Sequence, residues 1–384
     1  DSEVHPAFSP DDSFANFEKL GMTRVGVNAA KTPAKSGGAG KSKSTASNAG
    51  QDPRVKAMAK GKAKDKSRAE TAKGVAKTTV AKTKEAAPVS KSSKSARPGA
   101  VTVSGNPLES AYARPALKMG LDQQATLGVN PFKLGLIGST DSHVGLSSVD
   151  EDGYLGKQGA MRATSAMWNA AGYAGVWATE NTRQAIFDAL QRREVYASTG
   201  PRMTVRVFGG WDFRARDARR TDLAQVGYGK GVPMGGDLTN APMGKTPRLL
   251  LRATKDPDGA NLDRIQVIKG WRDNGGTLQE KVYNVALSDR RKLDSAGDTT
   301  PVGNTVNLDT ATYKNSIGAS ELSTVWTDPD FDPAELAFYY VRVLEIPTPR
   351  WTDYDVARLG TKLPPTIPVN IQERAYTSPI WYTP

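Results

Sequence analysis

The sequence contains no cysteine and only two histidines, His5 and His143. The absence of cysteine excludes disulfides, zinc fingers, iron–sulfur clusters and a thiol nucleophile within this chain. Any chemistry that needs an imidazole must use one of the two histidines. The sequence also has no run close to the roughly 20 apolar residues of a membrane-spanning helix, which excludes such a segment.

Aromatic residues are missing from residues 31–100, which also hold most of the excess positive charge. This segment has 18 Lys+Arg and 4 Asp+Glu, and the rest of the 384-residue chain has 34 basic and 36 acidic residues. The segment has too few large apolar side chains to offset the conformational entropy lost on ordering it, so we predict a disordered Lys/Ala-rich insert. It is either a solvated spacer or a polycationic arm that makes nonspecific contacts with a polyanion such as nucleic acid.

The residues on the two sides of the insert predict an α/β unit built from residues 1–30 and 101–201. Residues 133–138 (KLGLIG) form a short apolar run between turn residues, which is typical of a buried parallel strand. A helix follows, capped by Asn181 or Thr182, and a strand is expected at residues 195–198. Alternation of strand, loop and helix is typical of α/β proteins.

From residue 202 to 384 the pattern changes to short alternating segments separated by turn signals. They predict a β-rich, sandwich-like C-terminal domain. The predicted strands have the sequences MTVRVFGGW, RLLLRAT, RIQVIKGW, EKVYNVAL, FYYVRVLEI and AYTSPIWY.

The candidate catalytic and metal-binding residues lie in two short motifs. Asp141 and His143 in GSTDSHVG follow the predicted strand directly, and a carboxylate and an imidazole at this spacing can bind a divalent metal. The alternative is a histidine that hydrogen-bonds its own turn. Glu3 and His5 in SEVHPAFSPDD repeat the pairing, and a histidine in an ordinary surface loop is the alternative there.

Four segments together resemble a bacterial family of unassigned function, the DUF3604 proteins. They are GLIGSTDSHVGL, ENTRQAIFDALQRREVYASTGPRM, KDPDGANLDRIQVIKGW and ERAYTSPIWYTP, and SEVHPAFSPDDSFANFE also resembles this family. The resemblance covers nearly everything except residues 31 to about 105. The family is similar to the polymerase-and-histidinol-phosphatase (PHP) superfamily of metal-dependent hydrolases.

The resemblance implies a partial PHP-like distorted (β/α)7 barrel ahead of the β-rich region, with a divalent Zn, Mn or Fe ion. Asp141 and His143 match the superfamily's late metal-ligand segment, whereas Glu3 and His5 match only loosely. The first strands of the superfamily's barrel carry a His-x-His pair that this sequence lacks. With Asp1 in place of a methionine, this indicates the C-terminal part of a longer protein, whose metal cluster the isolated chain would not complete.

Two functions of different classes follow as hypotheses. The first is a metal-dependent hydrolase that acts on a small phosphoester or related ester through a metal-activated water. The second is a non-catalytic β-domain binding protein, exported or attached to the cell envelope. A periplasmic or exported location is expected if a signal peptide precedes the chain, and a cytoplasmic one otherwise.

Three further features receive ordinary structural interpretations. Asp256 and Asp258 resemble a calcium loop, but Pro257 and Gly259 favour a simple turn. Tryptophans at strand ends, such as Trp381, are expected to be sandwich core and not sugar platforms. Arg342 and Arg350 are expected to be solvated, with binding of an anionic substrate as the alternative.

Overall fold

A computed structural model describes residues 112–140, 150–154, 166, 170 and 172–384. The predicted insert at residues 31–100 and the N-terminal block lie outside these residues. The described helices begin at Ala113, Arg183, Leu223 and Trp351: α1 (Ala113–Leu127), α2 (Arg183–Gln191), α3 (Leu223–Lys230) and α4 (Trp351–Leu359). Two 3₁₀ turns are Glu151–Gly153 and Ala215–Arg219.

Twelve strands form two sheets within the described residues. They are β1 (Tyr173–Val176), β2 (Val195–Ser198), β3 (Thr204–Gly210), β4 (Gly231–Pro233), β5 (Asp237–Thr239), β6 (Arg248–Thr254), β7 (Leu262–Arg272), β8 (Leu278–Leu287), β9 (Glu321–Thr327), β10 (Leu336–Glu345), β11 (Arg374–Thr377) and β12 (Ile380–Thr383).

The larger sheet is organised around β10. On one side β10 pairs with β7, which pairs with β8; on the other side it pairs with β11 and β12 in succession. β11 continues to β2 and β1, and β12 pairs in parallel with β5. The smaller sheet has the order β4-β3-β6-β9. The larger sheet therefore contains strands from both sides of the domain boundary expected near residue 201. β1 and β2 lie before that boundary, and the other strands of the sheet lie after it.

The two sheets pack face to face, and helices cover their outer faces. Leu249 and Leu251 of β6 and Val341 and Val343 of β10 belong to one buried core between the sheets. Helix α1 packs on the outer face of the larger sheet, where it contributes Leu117 and Leu121, four residues apart, to a second core. The 3₁₀ turn at Ala215–Arg219 and α3 cover the smaller sheet in the same way. The described residues thus form a mixed α/β structure dominated by a β sandwich.

The strands predicted from alternation are confirmed. β2 and β6 have the predicted bounds, and the other five predicted segments overlap β3, β7, β8, β10 and the pair β11–β12. RLLLRAT is apolar without alternation because β6 is buried on both faces: Leu250 faces the outer core while its neighbours face the inner one. Helix α2 begins as predicted, with the Ala185 amide donating to the Thr182 hydroxyl.

The prediction of a buried parallel strand at residues 133–138 is wrong. These residues form no strand, and the side chains of Leu134 and Ile137 are 51% and 55% exposed. The backbone of the segment makes isolated hydrogen bonds and no ladder. The Leu136 amide donates to Ser378 Oγ, and the Leu134 amide donates to the nearby Phe132 carbonyl. An apolar run forms a strand only where a neighbouring strand can hydrogen-bond to it, and none of the described strands pairs with residues 133–138.

No closed barrel forms among the described residues. In the same part of the chain, no helix is both long enough and apolar enough to span a bilayer.

Candidate functional site

All four predicted metal ligands, Glu3, His5, Asp141 and His143, lie outside the described residues. The structure does describe the chain on both sides of residues 141–149. It ends at Ser139 and Thr140 on one side and resumes at Asp150 on the other. The surroundings of these two flanks define the candidate site.

The first flank lies against the end of β2. The Gly172 amide donates to the Ser139 carbonyl at 3.0 Å. A methyl group added at Gly138 would lie 2.5 Å from the carbonyl oxygens of Ser198 and Tyr173, and one at Gly172 would lie 2.1 Å from that of Ser198. Glycine at both positions therefore allows the backbones to approach closely enough for this contact.

The second flank is the 3₁₀ turn at Glu151–Gly153, and Glu151 fixes it to α4. One carboxylate oxygen of Glu151 accepts the Ala170 amide at 3.2 Å, and the other accepts the amide of Trp351, the first residue of α4. The Tyr154 ring lies 5.0 Å from that of Trp351. One oxygen of Glu151 thus holds the turn at the start of the helix, and the other holds it to Ala170.

Arg350, the residue before α4, is completely buried beside Glu151. Its guanidinium donates to the Ala166 carbonyl at 2.5 Å, and its amide donates to Asp353 Oδ2 at 2.8 Å. Burial lowers the pKa of Arg350, and the charges of Glu151 and Asp353 oppose that shift. The expectation of a solvated arginine is wrong for Arg350 and also for Arg342, which is buried and donates to Gln266 at 2.9 Å.

Glu373, the residue before β11, connects the two flanks. One of its carboxyl oxygens accepts a hydrogen bond from the hydroxyl of Thr199, which follows Ser198. Its carboxyl group also acts on Glu151, whose pKa it lowers slightly. Burial raises the pKa of Glu151, and the amides of Trp351 and Ala170 and the Arg350 charge offset this only in part.

Glu345, at the end of β10, is a third buried acid at this position. Its amide donates to the Glu373 carbonyl at 2.8 Å, so the two residues are neighbours across adjacent strands. Its side-chain Oε1 is buried and has no hydrogen-bond partner. Burial, and the charges of Glu373 and Asp256, raise the pKa of Glu345 well above its usual range, while Lys255 acts in the opposite direction.

We call Glu151, Glu345, Glu373 and Arg350 the buried acid cluster. The pKa values of Glu151 and Glu345 are both raised, so these two carboxyl groups bind a proton more readily than exposed glutamates do. Groups of three His, Cys, Asp or Glu side chains suited to a metal ion are absent from the described residues. The cluster can therefore bind and exchange protons, but by itself it offers no cation site.

Only weak signals in the sequence indicate this cluster. Glu151 follows GSTDSHVG by a few residues, and Glu373 belongs to ERAYTSPIWYTP, but neither was a candidate. Arg350 was considered only as a surface arginine or substrate ligand. An acidic residue close behind the motif and an arginine directly before a tryptophan are signals that could have directed attention here.

The Asp256 turn forms as the simpler interpretation predicts. The Gly259 amide donates to the Asp256 carbonyl at 3.0 Å, and the Asp256 carboxylate accepts from the Arg202 amide at 2.7 Å. The ammonium of Lys255 donates to the carbonyls of Asp256, Pro257 and Gly259 at 2.8 to 3.0 Å. A lysine side chain thus occupies the place that a cation would take.

Comparison with known families decides the classification. The profile of one family, described as "Protein of unknown function (DUF3604)", matches residues 47–384. The chain belongs to this family. The DUF3604 match includes Asp141, His143 and the buried acid cluster, and Glu3 and His5 lie before it. It also takes in residues 47–105, which the resemblance was expected to leave out. No curated protein matches the chain.

Proposed function

We propose that this DUF3604 protein is a metal-dependent hydrolase, related to the PHP superfamily, that acts on a phosphoester or related ester. The proposal depends on the motif GSTDSHVG, whose Asp141 and His143 offer a carboxylate and an imidazole two residues apart. A bound divalent ion would supply a water whose pKa is lowered from 15.7 to about 7. The barrel arrangement of the superfamily is part of the same proposal.

The donor chemistry fits a divalent ion if the ligands come from outside the described residues. Carboxylate oxygens and imidazole nitrogens, as in Asp141, His143, Glu3 and His5, are common ligands of Zn, Mn and Fe. Glu151 is unsuited to this role because both its oxygens already accept backbone amides. Asp141 and His143 would be the first ligands, with Glu3 and His5 as further ones and the rest of the cluster supplied by the longer protein.

The flanks of residues 141–149 support a polar site. Gly138 abuts Ser198, whose neighbour Thr199 donates to Glu373, and the other flank carries Glu151 itself. Both flanks thus adjoin groups that can take up or release a proton. Ester hydrolysis requires a proton for the leaving group, and groups with raised pKa values suit that requirement near neutral pH.

The test uses the full-length gene product with Asp141→Ala and His143→Ala, and Asp298→Ala as the control. Asp298 is an exposed carboxylate in a distant turn. Metal content and hydrolysis of a chromogenic aryl phosphate and an aryl acetate are measured with Mn²⁺ or Zn²⁺. We expect both variants at the motif to lose metal and turnover and Asp298→Ala to keep them. Unchanged turnover in both motif variants contradicts the proposal.

A binding protein without catalysis is the second candidate, and the sandwich favours it. The two sheets share a continuous buried core, an architecture that needs no reaction to account for it. Sequence upstream of Asp1 separates the candidates. A His-x-His pair after an apolar strand favours the hydrolase, and its absence favours the binding protein.

A further inference from the structure

The 3₁₀ turn at Ala215–Arg219 covers the smaller sheet, and its exposed side is rich in arginine. Phe213 and Ala218 are buried in the core beneath it. Four arginine side chains within seven residues are exposed instead, and they belong to Arg214, Arg216, Arg219 and Arg220. The segment thus buries apolar side chains on one side and presents guanidinium groups on the other.

Each of the three acids in residues 212–222 already has a cation at ion-pair distance. The pairs are Asp217 with Lys230 at 2.7 Å, Asp222 with Arg220 at 2.6 Å, and Asp212 with Lys245. Arg214, Arg216 and Arg219 then remain, and none of them lies at ion-pair distance from an acid in the part of the chain that the structure describes. The surface here therefore carries three positive charges without counter-ions.

A methionine projects from a tight turn near these arginines. The Lys245 amide donates to the Pro242 carbonyl at 2.9 Å, which places Met243 and Gly244 at the corner of the turn. Gly244 has a φ of 71°, in the left-handed region that favours glycine. The side chain of Met243 is completely exposed. An apolar side chain is thus held in solvent by a hydrogen-bonded turn.

Two contacts connect the Met243 turn to the arginine-bearing segment. The ammonium of Lys245, two residues after Met243, contacts the carboxylate of Asp212. The guanidinium of Arg248 donates to the Phe213 carbonyl at 2.9 Å. Met243 and the exposed arginines therefore belong to one surface, which we call the Met243 surface.

We propose that the Met243 surface binds an anionic lipid bilayer. The negative surface potential of such a bilayer attracts each basic side chain that lies close to it. A projecting methionine can enter the boundary between headgroups and acyl chains, where apolar side chains of interfacial segments lie. Nucleic acid also carries phosphates, but its bases are bound by aromatic stacking, and Met243 is aliphatic. The proposal does not depend on the hydrolase proposal.

The absence of cysteine from the chain allows a probe at a single position. Met243→Cys in the full chain is labelled with the environment-sensitive dye nitrobenzoxadiazole, and Lys292→Cys, at an exposed lysine of another loop, carries the same label as the control. A local probe is required because the Lys/Ala-rich residues 31–100 can bind a polyanion by themselves. The probes are vesicles of phosphatidylcholine alone and vesicles with equal parts of phosphatidylcholine and phosphatidylglycerol.

We expect the emission of the label at position 243 to shift to the blue with the mixed vesicles and to stay unchanged with phosphatidylcholine alone. The label at position 292 should keep its emission with both. Because insertion of Met243 is the cause, a shift of equal size at both positions overturns the proposal, and so does the absence of a shift at position 243.

The double variant Arg216→Gln and Arg219→Gln tests the contribution of charge. Both side chains are exposed and make no hydrogen bond or ion pair with another described residue, so the fold should be kept. The equilibrium constant for the shift at position 243 should fall about tenfold or more. Lys292→Gln with Lys362→Gln removes the same charge from exposed positions elsewhere and should leave it unchanged.

Two results of the charge test contradict the proposal. One is a shift at position 243 that the arginine variant leaves as in the wild type. The other is binding of a duplex DNA oligonucleotide that depends on the two arginines while the vesicles leave the label unmoved, which assigns the surface to nucleic acid.

Discussion

The ion pair between Lys269 and Asp328 is buried in the sandwich, and its removal tests the account of the fold. Lys269 Nζ lies 2.8 Å from Asp328 Oδ2, and the two side chains are 1% and 0% exposed. Asp328 also accepts the Tyr339 hydroxyl at 2.7 Å and the Asp330 amide at 3.0 Å. Lys269 donates in addition to the Asp330 carbonyl at 2.6 Å. Every group in this network has a partner.

Asp328→Asn should lower the free energy of unfolding by about 3–5 kcal/mol, because it leaves the Lys269 charge buried without a counter-ion. Lys269→Met should cost a similar amount by leaving Asp328 unpaired. The double variant contains neither charge, so its loss should be about 2–3 kcal/mol smaller than the sum of the two single losses. Urea unfolding followed by tryptophan fluorescence measures all three, since Trp326 lies 6.3 Å from Tyr339.

Lys281→Met is the matched control. Lys281 and Asp330 also form an ion pair, at 2.6 Å, but their side chains are 51% and 44% exposed. Its loss should cost no more than about 1 kcal/mol. If Asp328→Asn costs as little as this control, or if the two single losses simply add, the buried pair does not contribute as we argue.

Two further predictions concern packing and pH. A methyl group at Gly227 would lie 2.3 Å from the Phe208 ring, so Gly227→Ala should lower the free energy of unfolding in urea by about 1–3 kcal/mol. A methyl group at Gly229 on the same helix would have nothing within 4 Å, so Gly229→Ala should not destabilise the protein. Burial raises the pKa of Asp353 to about 6, against hydrogen bonding from the Arg350 amide. The folded state therefore binds the Asp353 proton more tightly than the unfolded state, and the free energy of unfolding should fall as the pH rises from about 4 to about 6. The fall should be shallower in Asp353→Asn. Equal slopes in the wild type and the variant would contradict the assignment.

The β sandwich could be predicted from the sequence because its signals are local. Strands such as β6 and β10 are apolar on both faces, and the turns between strands carry Asp, Asn, Gly and Pro. Helix α2 was predictable for the same reason, since Thr182 is a cap whose hydrogen bond spans only three residues. In each case the residues that determine the element lie within it.

The errors and omissions concern contacts between distant parts of the chain. Residues 133–138 have the composition of a buried strand, but what lies beside them decides their conformation. Glu151 reaches the Trp351 amide because the 3₁₀ turn packs on α4, and no spacing along the sequence indicates this. Arg350 is buried only because the same turn supplies Glu151 as its counter-ion.

The two buried polar networks of this protein differ in how completely they are satisfied. Around Asp328 every donor and acceptor is paired, which is what a structural network requires. In the buried acid cluster, by contrast, Oε1 of Glu345 has no hydrogen-bond partner among the described residues. An unpaired buried carboxyl oxygen costs about 1–3 kcal/mol, which apolar side chains of similar volume would avoid. Stability alone therefore does not account for the burial of Glu345.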